Sequence, residues 1–465
     1  MGYYRPVWEI LPGFGVYDIV TVAILAFFLF LLAFYRSAVN PFTSANRRVY
    51  LSAFVARLFS GLAFGVIYNY YYVGGDTFMY YDISQSFRQA ILDNPFIGIK
   101  LLFMETGEYS DDTFQYTSAI WTVYFQREVV ETVFFAKLLA VCELPFFRSY
   151  WALTVLLSSL SFFASWSLYR TTAQLYPRAK QILLIGIVFL PSTLFWTSGI
   201  LKDTVTFAGL CIILKTVLEL LHYRRTSILG LILSIILFRF VFLLKAYVVL
   251  PLLGPIAIAV FMQFKPSSSI AILKYLALPV VLLAVLALST VATVQLGNIS
   301  AEYQLSQLQD KAEGYRTYHQ FLAEKEGQSF YSLGDVSYTP LGILRKSPAA
   351  MNVTFFRPYL WEAREPFQVM SALESFLMLL FVLFTFRKIG FFKTLNYFRT
   401  DAVALMLLSY SLIFATMVGL TAYNFGALVR FKVPGVMTLL VCIAIVHHLH
   451  REEEANAALE EAEFE

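Results

Sequence analysis

The sequence predicts an all-α polytopic membrane protein: about 11 transmembrane helices with two large extracytoplasmic loops containing interfacial helices. Three observations lead there. Of the 465 residues, 58% are hydrophobic and only 14% are charged, whereas about a quarter are charged in a soluble domain. The apolar runs are continuous rather than alternating, which selects helices over a transmembrane barrel. The cations gather in short segments between those runs, a topology signal rather than a nucleic-acid footprint, so no nucleic-acid partner is expected.

Taken in order, the predicted spans are 17–35, 51–71, 150–168, 181–198, 204–221, 228–243, 247–263, 271–293, 367–386, 402–421 and 433–449. Each lies near the roughly 20 residues that a bilayer requires. No small-residue cleavage site follows the first run, so it reads as a span and not a signal peptide. With this set, Arg36, Arg47 and Arg48 share one side with Arg170, Arg178 and Lys180, with Arg224 and Arg225, with Lys265, and with Arg387, Lys388, Lys393 and Arg399. The positive-inside rule makes that side cytoplasmic and places the N-terminus outside. Residues 129–145 carry Glu131, Lys137 and Glu143 at helical intervals, which suits a helix lying in the interface rather than crossing. The chain then reads as a single transmembrane domain over residues 1–465. It has a first extracytoplasmic loop at 72–149, acidic and with interfacial helices, a second at 294–366, and an acidic cytoplasmic tail at 450–465. A helical stretch is expected at 301–326 within the second loop. Cys142, Cys211 and Cys442 lie in apolar stretches and show neither metal spacing nor a disulfide framework.

Two acids stand where spans meet the outer water. Asp76 follows Gly74-Gly75 at the end of the second span, and Asp203 follows Lys202 after a span containing Pro191. A carboxylate there suits a general base or an oxygen ligand for Mg²⁺ or Mn²⁺, and equally an N-cap for the helix that follows. Arg239 and Lys245 lie in or near the sixth and seventh spans, where a cation must pair, line a wet cavity or snorkel to headgroups. Arg357, Arg364, Arg430 and Lys432 give the outer surface further cations, suited to phosphate or to salt bridges with the acidic first loop. Arg57 sits near the inner face and reads as snorkelling. His319 reads as a surface histidine. Asn298-Ile299-Ser300 and Asn352-Val353-Thr354 match the short glycosylation pattern, which often arises by chance.

The order of these parts over residues 50–225 resembles the GT-C superfamily of integral-membrane glycosyltransferases. The resemblance runs through Gly74-Gly75-Asp76, the 129–145 helix, the 150–168 return span and Pro191…Ser198-Gly199…Lys202-Asp203. It implies transfer of a sugar from a polyprenyl-phosphate-linked donor to a lipid, glycan or protein acceptor on the outer face, with inversion at the anomeric carbon. By the same resemblance Asp76 is the base or metal-binding acid and Asp203 assists it. Lys202, Arg239, Lys245, Arg357, Arg430 and Lys432, with Asp82, form the expected substrate-binding set. A polysaccharide polymerase or O-antigen-ligase-like enzyme would instead lean on the arginines of the late loop. A lipid or solute transporter would place charge near the bilayer midplane.

Overall fold

The computed structural model describes residues 13, 15–125, 129–146, 148–223, 226–263, 308–326, 329–337 and 339–464. Every regular element among them is helical, and nine helices among them are long and apolar enough to cross a membrane. The expected span 271–293, Arg224, Arg225, Lys265 and the Asn298 pattern lie outside the described residues.

The chain begins with α1 (Val16–Val39), α2 (Pro41–Ala45) and α3 (Arg47–Tyr70). Asn40 starts α2 by accepting from the Thr43 amide at 3.0 Å, with Pro41 in the first helical position. Only 6% of the apolar window of α1 is buried, against 78% for α9 (Tyr150–Leu175), so α1 lies on the rim and α9 at the centre. Between them comes a layer of shorter helices: α4 (Asp76–Asp93), α5 (Pro95–Phe103), α6 (Asp111–Thr117), α7 (Trp121–Tyr124) and α8 (Val130–Glu143). They share a small core around Phe87, Leu101, Tyr124, Val133 and Ala140.

Helix α8 is the expected 129–145 segment, and its 14 residues are too few to cross a bilayer. Its charges meet protein groups. Lys137 donates to the Met104 carbonyl at 2.7 Å, and Glu143 accepts from Gln85 at 2.7 Å.

The next crossing, 177–196, is interrupted. After α10 (Lys180–Leu184) comes a π-helical stretch, Ile185–Phe189, and then α11 (Pro191–Trp196). Proline has no N–H to donate and displaces the preceding turn, which accounts for the break. Arg57 seals it. Expected to snorkel, it is instead fully buried, donating to the Thr193 carbonyl at 3.0 Å and to the Thr197 hydroxyl. The reason is packing: α3 lies against α11, which turns the guanidinium inward onto the Thr193 and Thr197 oxygens rather than along the span.

After α12 (Lys202–Tyr223), the expected spans 228–243 and 247–263 form one element, α13 (Ile228–Gln263). Lys245 inside it has non-helical φ −154° and ψ 78°, so two helical segments meet there. The segment expected as the second loop contains α14 (Leu308–Glu326) and α15 (Pro340–Phe356), followed by α16 (Pro366–Ile389), α17 (Phe391–Thr400), α18 (Ala402–Thr421), α19 (Phe425–Phe431) and α20 (Val433–Phe464). Helix α14 begins within the expected 301–326 stretch. Helix α15 is not a surface element: its Thr354 hydroxyl donates to the Ala415 carbonyl of α18 at 2.7 Å. Gly419 permits this approach, because a Cβ there would lie 2.3 Å from the Ala350 carbonyl oxygen. The last span and the acidic tail form one unbroken helix, α20.

The basic loops meet at one end of the bundle. Lys180 donates to Asn46 at 2.5 Å, Arg178 to the Arg451 carbonyl at 3.1 Å, and Lys393 pairs with Glu453 at 2.8 Å. The opposite end gathers Asp18 with Ser149 at 2.6 Å, and Tyr331 with Tyr423 at 3.0 Å. Asp76 and Asp203 are at that opposite end.

Two predictions follow from this packing. Gly419→Ala overpacks a backbone contact that cannot yield like a side chain, and should lower unfolding stability by about 1–3 kcal/mol, read by chemical denaturation in detergent. Asp82 in α4 is pushed up to about 7 by burial, opposed by Arg148. An unfolded aspartate titrates near ~3.9, so the folded chain holds the extra proton between those values. The stabilising contribution is therefore complete below about pH 4 and is lost as pH rises through 7. Thermal midpoints of Asp82→Asn measured from pH 4 to 8 should fall less steeply with pH than those of the wild type.

Candidate active site

Four distant pieces of chain build the site. The first is the turn after α3, where Val73, Gly74 and Gly75 take φ values of 50°, 148° and 122°. Positive φ is natural for glycine and strained for a β-branched valine. Gly75 also lies against Tyr68: a Cβ would sit 2.8 Å from that ring. The turn delivers Asp76 to the first residue of α4. Gly75 is the N-cap and no side-chain cap bond is made, so the Asp76 carboxylate is not spent on capping.

The second piece is Ser198-Gly199, which leads into α12. A Cβ on Gly199 would meet the Phe64 ring at 2.3 Å, and Ser158 donates to the Ser198 carbonyl. Asp203 falls in the first turn of α12. Both acids thus stand at helix N-termini, where the macrodipole favours negative charge. The third piece is Lys245 at the break in α13. Its Nζ lies 2.6 Å from Asp203 Oδ1.

The fourth is Arg430 on the short helix α19, which Asn424 caps by accepting from the Gly426 amide at 2.6 Å. Arg430 Nη1 donates to Asp76 Oδ2 at 3.0 Å. Its Nε lies 3.4 Å from Asp203 Oδ2, within ion-pair range but without hydrogen-bond geometry. The result is a chain of alternating charge: Asp76, Arg430, Asp203, Lys245. Burial would lower the guanidinium of Arg430, but the Asp203 and Asp76 carboxylates outweigh it and raise it. Burial, with Asp76 next, pushes the nearby Tyr80 hydroxyl well above its ordinary value, so it stays a neutral donor.

Exposure separates the two acids. The Asp76 side chain is 44% exposed and the Asp203 side chain 12%. Asp76 can meet a substrate, while Asp203 is enclosed by its two cations. Thr197, Asp203, Tyr247, Arg430 and Phe431 line a small cleft beside the chain of charges.

The other expected residues lie around or away from this chain. Lys202 pairs with Glu131 at 3.2 Å, donates to Thr132 at 2.9 Å, and lies over the Tyr80 ring. Arg239 is exposed on α13 beside Phe242. Asp82 faces the side of α4 nearer Arg148. Arg357 is engaged by Glu362, with Nε 2.9 Å from Oε2. Lys432 is buried, donating to Ser375 at 2.6 Å and to the Arg357 carbonyl at 3.0 Å. Arg430 and Lys432, two positions apart, therefore serve different neighbourhoods, because the turn between α19 and α20 points them apart.

Sequence reasoning did not assign roles to Tyr68, Tyr80, Glu131 or Glu374. Glu374 had a signal, as a lone carboxylate within the apolar run 367–386. It accepts from the Ser192 amide at 2.9 Å and the Ser192 hydroxyl at 2.7 Å, next to the proline that breaks the crossing. The tyrosines had no such mark, since aromatic residues are common throughout the chain.

Among the described residues no group of three or more His, Cys, Asp or Glu side chains comes together. At Asp76 the one neighbouring carboxylate in the chain of charges is Asp203, and Arg430 and Lys245 already compensate both. With Arg430 on Asp76 and both Arg430 and Lys245 on Asp203, these carboxylates form no ready-made cluster of oxygen ligands for Mg²⁺ or Mn²⁺. Comparisons with protein-family models, curated proteins and solved structures find no match.

The charge chain should be measurable as coupling. In a double-mutant cycle of Lys245→Met and Asp203→Asn, the two losses of stability should be non-additive by roughly 0.5–3 kcal/mol. Additive losses in thermal or chemical denaturation would show that the 2.6 Å contact contributes nothing.

Proposed function

We propose that the protein is a membrane glycosyltransferase that moves a sugar from a polyprenyl-(pyro)phosphate carrier to a lipid, glycan or protein acceptor. The observation that carries this reading is the bridge from Arg430 to Asp76, backed by Asp203 and Lys245. It joins an accessible carboxylate to a guanidinium at the end of the bundle remote from the basic loops. Those loops make their own end cytoplasmic by the positive-inside rule, so the reaction belongs to the outer face. The N-terminus is then outside and the C-terminal helix inside, in a multi-pass cell membrane protein of bacterial inner-membrane type.

In this reaction Asp76 accepts the proton of the acceptor hydroxyl. The hydroxyl oxygen forms its bond to the anomeric carbon as the bond from that carbon to the carrier phosphate oxygen breaks. The electron pair leaves on the phosphate. Arg430 has donors beyond those turned to Asp76, and a planar guanidinium matches phosphate oxygens. Asp203 acts as a positioning residue by holding Arg430 and Lys245. No metal enters the scheme.

The polymerase-like reading drew on the arginines of the late loop. Arg357 pairs with Glu362, and Arg316 lies 3.7 Å from Asp335. The late arginine that reaches the early acid is Arg430, which favours one site using both. The transporter reading expects charge along a pathway, whereas this chain of charges is concentrated at one end.

Asp76→Asn should lower turnover by roughly 10²–10⁴-fold, the usual contribution of a general base. The readout is release of polyprenyl phosphate from a panel of lipid-linked sugars, with folding checked by thermal midpoint. Arg430→Gln should raise KM for the donor as well as lower kcat. Full activity in Asp76→Asn beside an inactive Arg430→Gln would replace this scheme with an arginine-based polymerase or ligase.

A further inference from the structure

A second group of cations stands at the basic end, far from the Asp76 site. Arg36, on the last turn of α1, and Arg170, near the end of α9, converge on one groove of about 250 Å³ between α1, α3 and α9. A single water occupies roughly 30 Å³ of liquid volume, so the groove is far larger than a hydration site. The two guanidiniums are close enough to repel each other. The acid acting on Arg170 is Glu219, which lies 2.8 Å from Lys215 and accepts from Thr226 at 3.1 Å. Neither guanidinium has an ion pair or a hydrogen-bonded acceptor among the described residues.

Two like charges with no shared protein anion make the groove locally positive and favour a bound anion. The groove supplies more than charge. Tyr50, 1% exposed, lines it, and its hydroxyl is buried with no hydrogen-bond partner among the described residues. Two further contacts hold the remaining wall. Trp166 donates to the Thr43 hydroxyl at 3.2 Å, and Arg36 lies 4.9 Å from the centre of the Phe163 ring. Helix α1 is nearly all exposed along its apolar length, so an apolar surface adjoins the groove.

We propose that this groove binds the phosphate of an anionic phospholipid headgroup. The guanidiniums of Arg36 and Arg170 take its oxygens, the Tyr50 hydroxyl donates a third bond, and the acyl chains run down the exposed face of α1. Guanidinium donors match phosphate bidentately, and basic pockets between helix ends are suited to anionic headgroups. A soluble phosphate would meet the same donors but would gain nothing from the apolar face of α1. The site is independent of the reading of the Asp76 end.

The test uses the full-length protein, delipidated in neutral detergent. Its thermal midpoint is followed while phosphatidylglycerol, phosphatidylcholine or inorganic phosphate is added. Phosphatidylglycerol should raise the midpoint saturably, and the other two should not. Arg36→Gln and Arg170→Gln should each weaken half-saturation roughly tenfold or more, the scale of a lost charged hydrogen bond. Lys325→Gln, which removes an exposed cation on α14, should leave it unchanged. Arg36 is exposed, so its variant keeps the test decisive if Arg170→Gln fails to fold. Equal shifts with phosphatidylcholine, or unchanged half-saturation in the variants, would overturn the site. Equal shifts with inorganic phosphate would assign it to a soluble anion and overturn the lipid.

Discussion

Charges carried into a helical bundle that stands in lipid must find partners inside the protein, because no water is there to solvate them. Arg57 shows the constraint most plainly. It is fully buried and holds the Thr193 carbonyl and Thr197 hydroxyl of the crossing that Pro191 breaks. Glu374 holds the same crossing through Ser192. A break in a spanning helix is tolerated when side chains re-satisfy the freed backbone, and here one cation and one carboxylate flank it. The chain after the break then turns at Ser198-Gly199 and presents Asp203.

The candidate site depends on that same logic at the rim. Asp203 is nearly enclosed and bears on both Lys245 and Arg430, so it fixes where the guanidinium lies. Arg430 in turn reaches the more exposed Asp76. A buried pair of this sort is a weak source of net stability, since desolvation offsets attraction. What it supplies is geometry: a guanidinium whose orientation is set before a substrate arrives. Strain at Val73 fits the same picture, since positive φ is held only where the surroundings overdetermine it.

The outer helices are more than cover. Helix α8 carries the acid that pairs with Lys202, and α15 descends against α18 through the gap left by Gly419. The charged residues of the site come from the turn after α3, from α12, from the break in α13 and from α19, which spreads them from position 76 to position 430.

Much was legible in the sequence because lipid imposes a simple code. Long apolar runs, their length and the placement of cations follow from the bilayer alone, so an all-helical, multi-pass protein could be read directly, as could the shared end of Asp76 and Asp203. The boundary drawn between spans 228–243 and 247–263 also fell at the break found at Lys245, whereas 181–198 was read as one span although it contains Pro191. Only tertiary structure decided the partners. Arg430 lies 354 positions from Asp76, and nothing in local pattern distinguishes it from Lys432 or Arg357, which turn elsewhere. Arg57 looked like a snorkelling residue because sequence gives depth along a span but not which way a side chain faces. Facing is set by packing between helices, a property of pairs of distant segments, and it decides which charges form a site and which merely hold the bundle together.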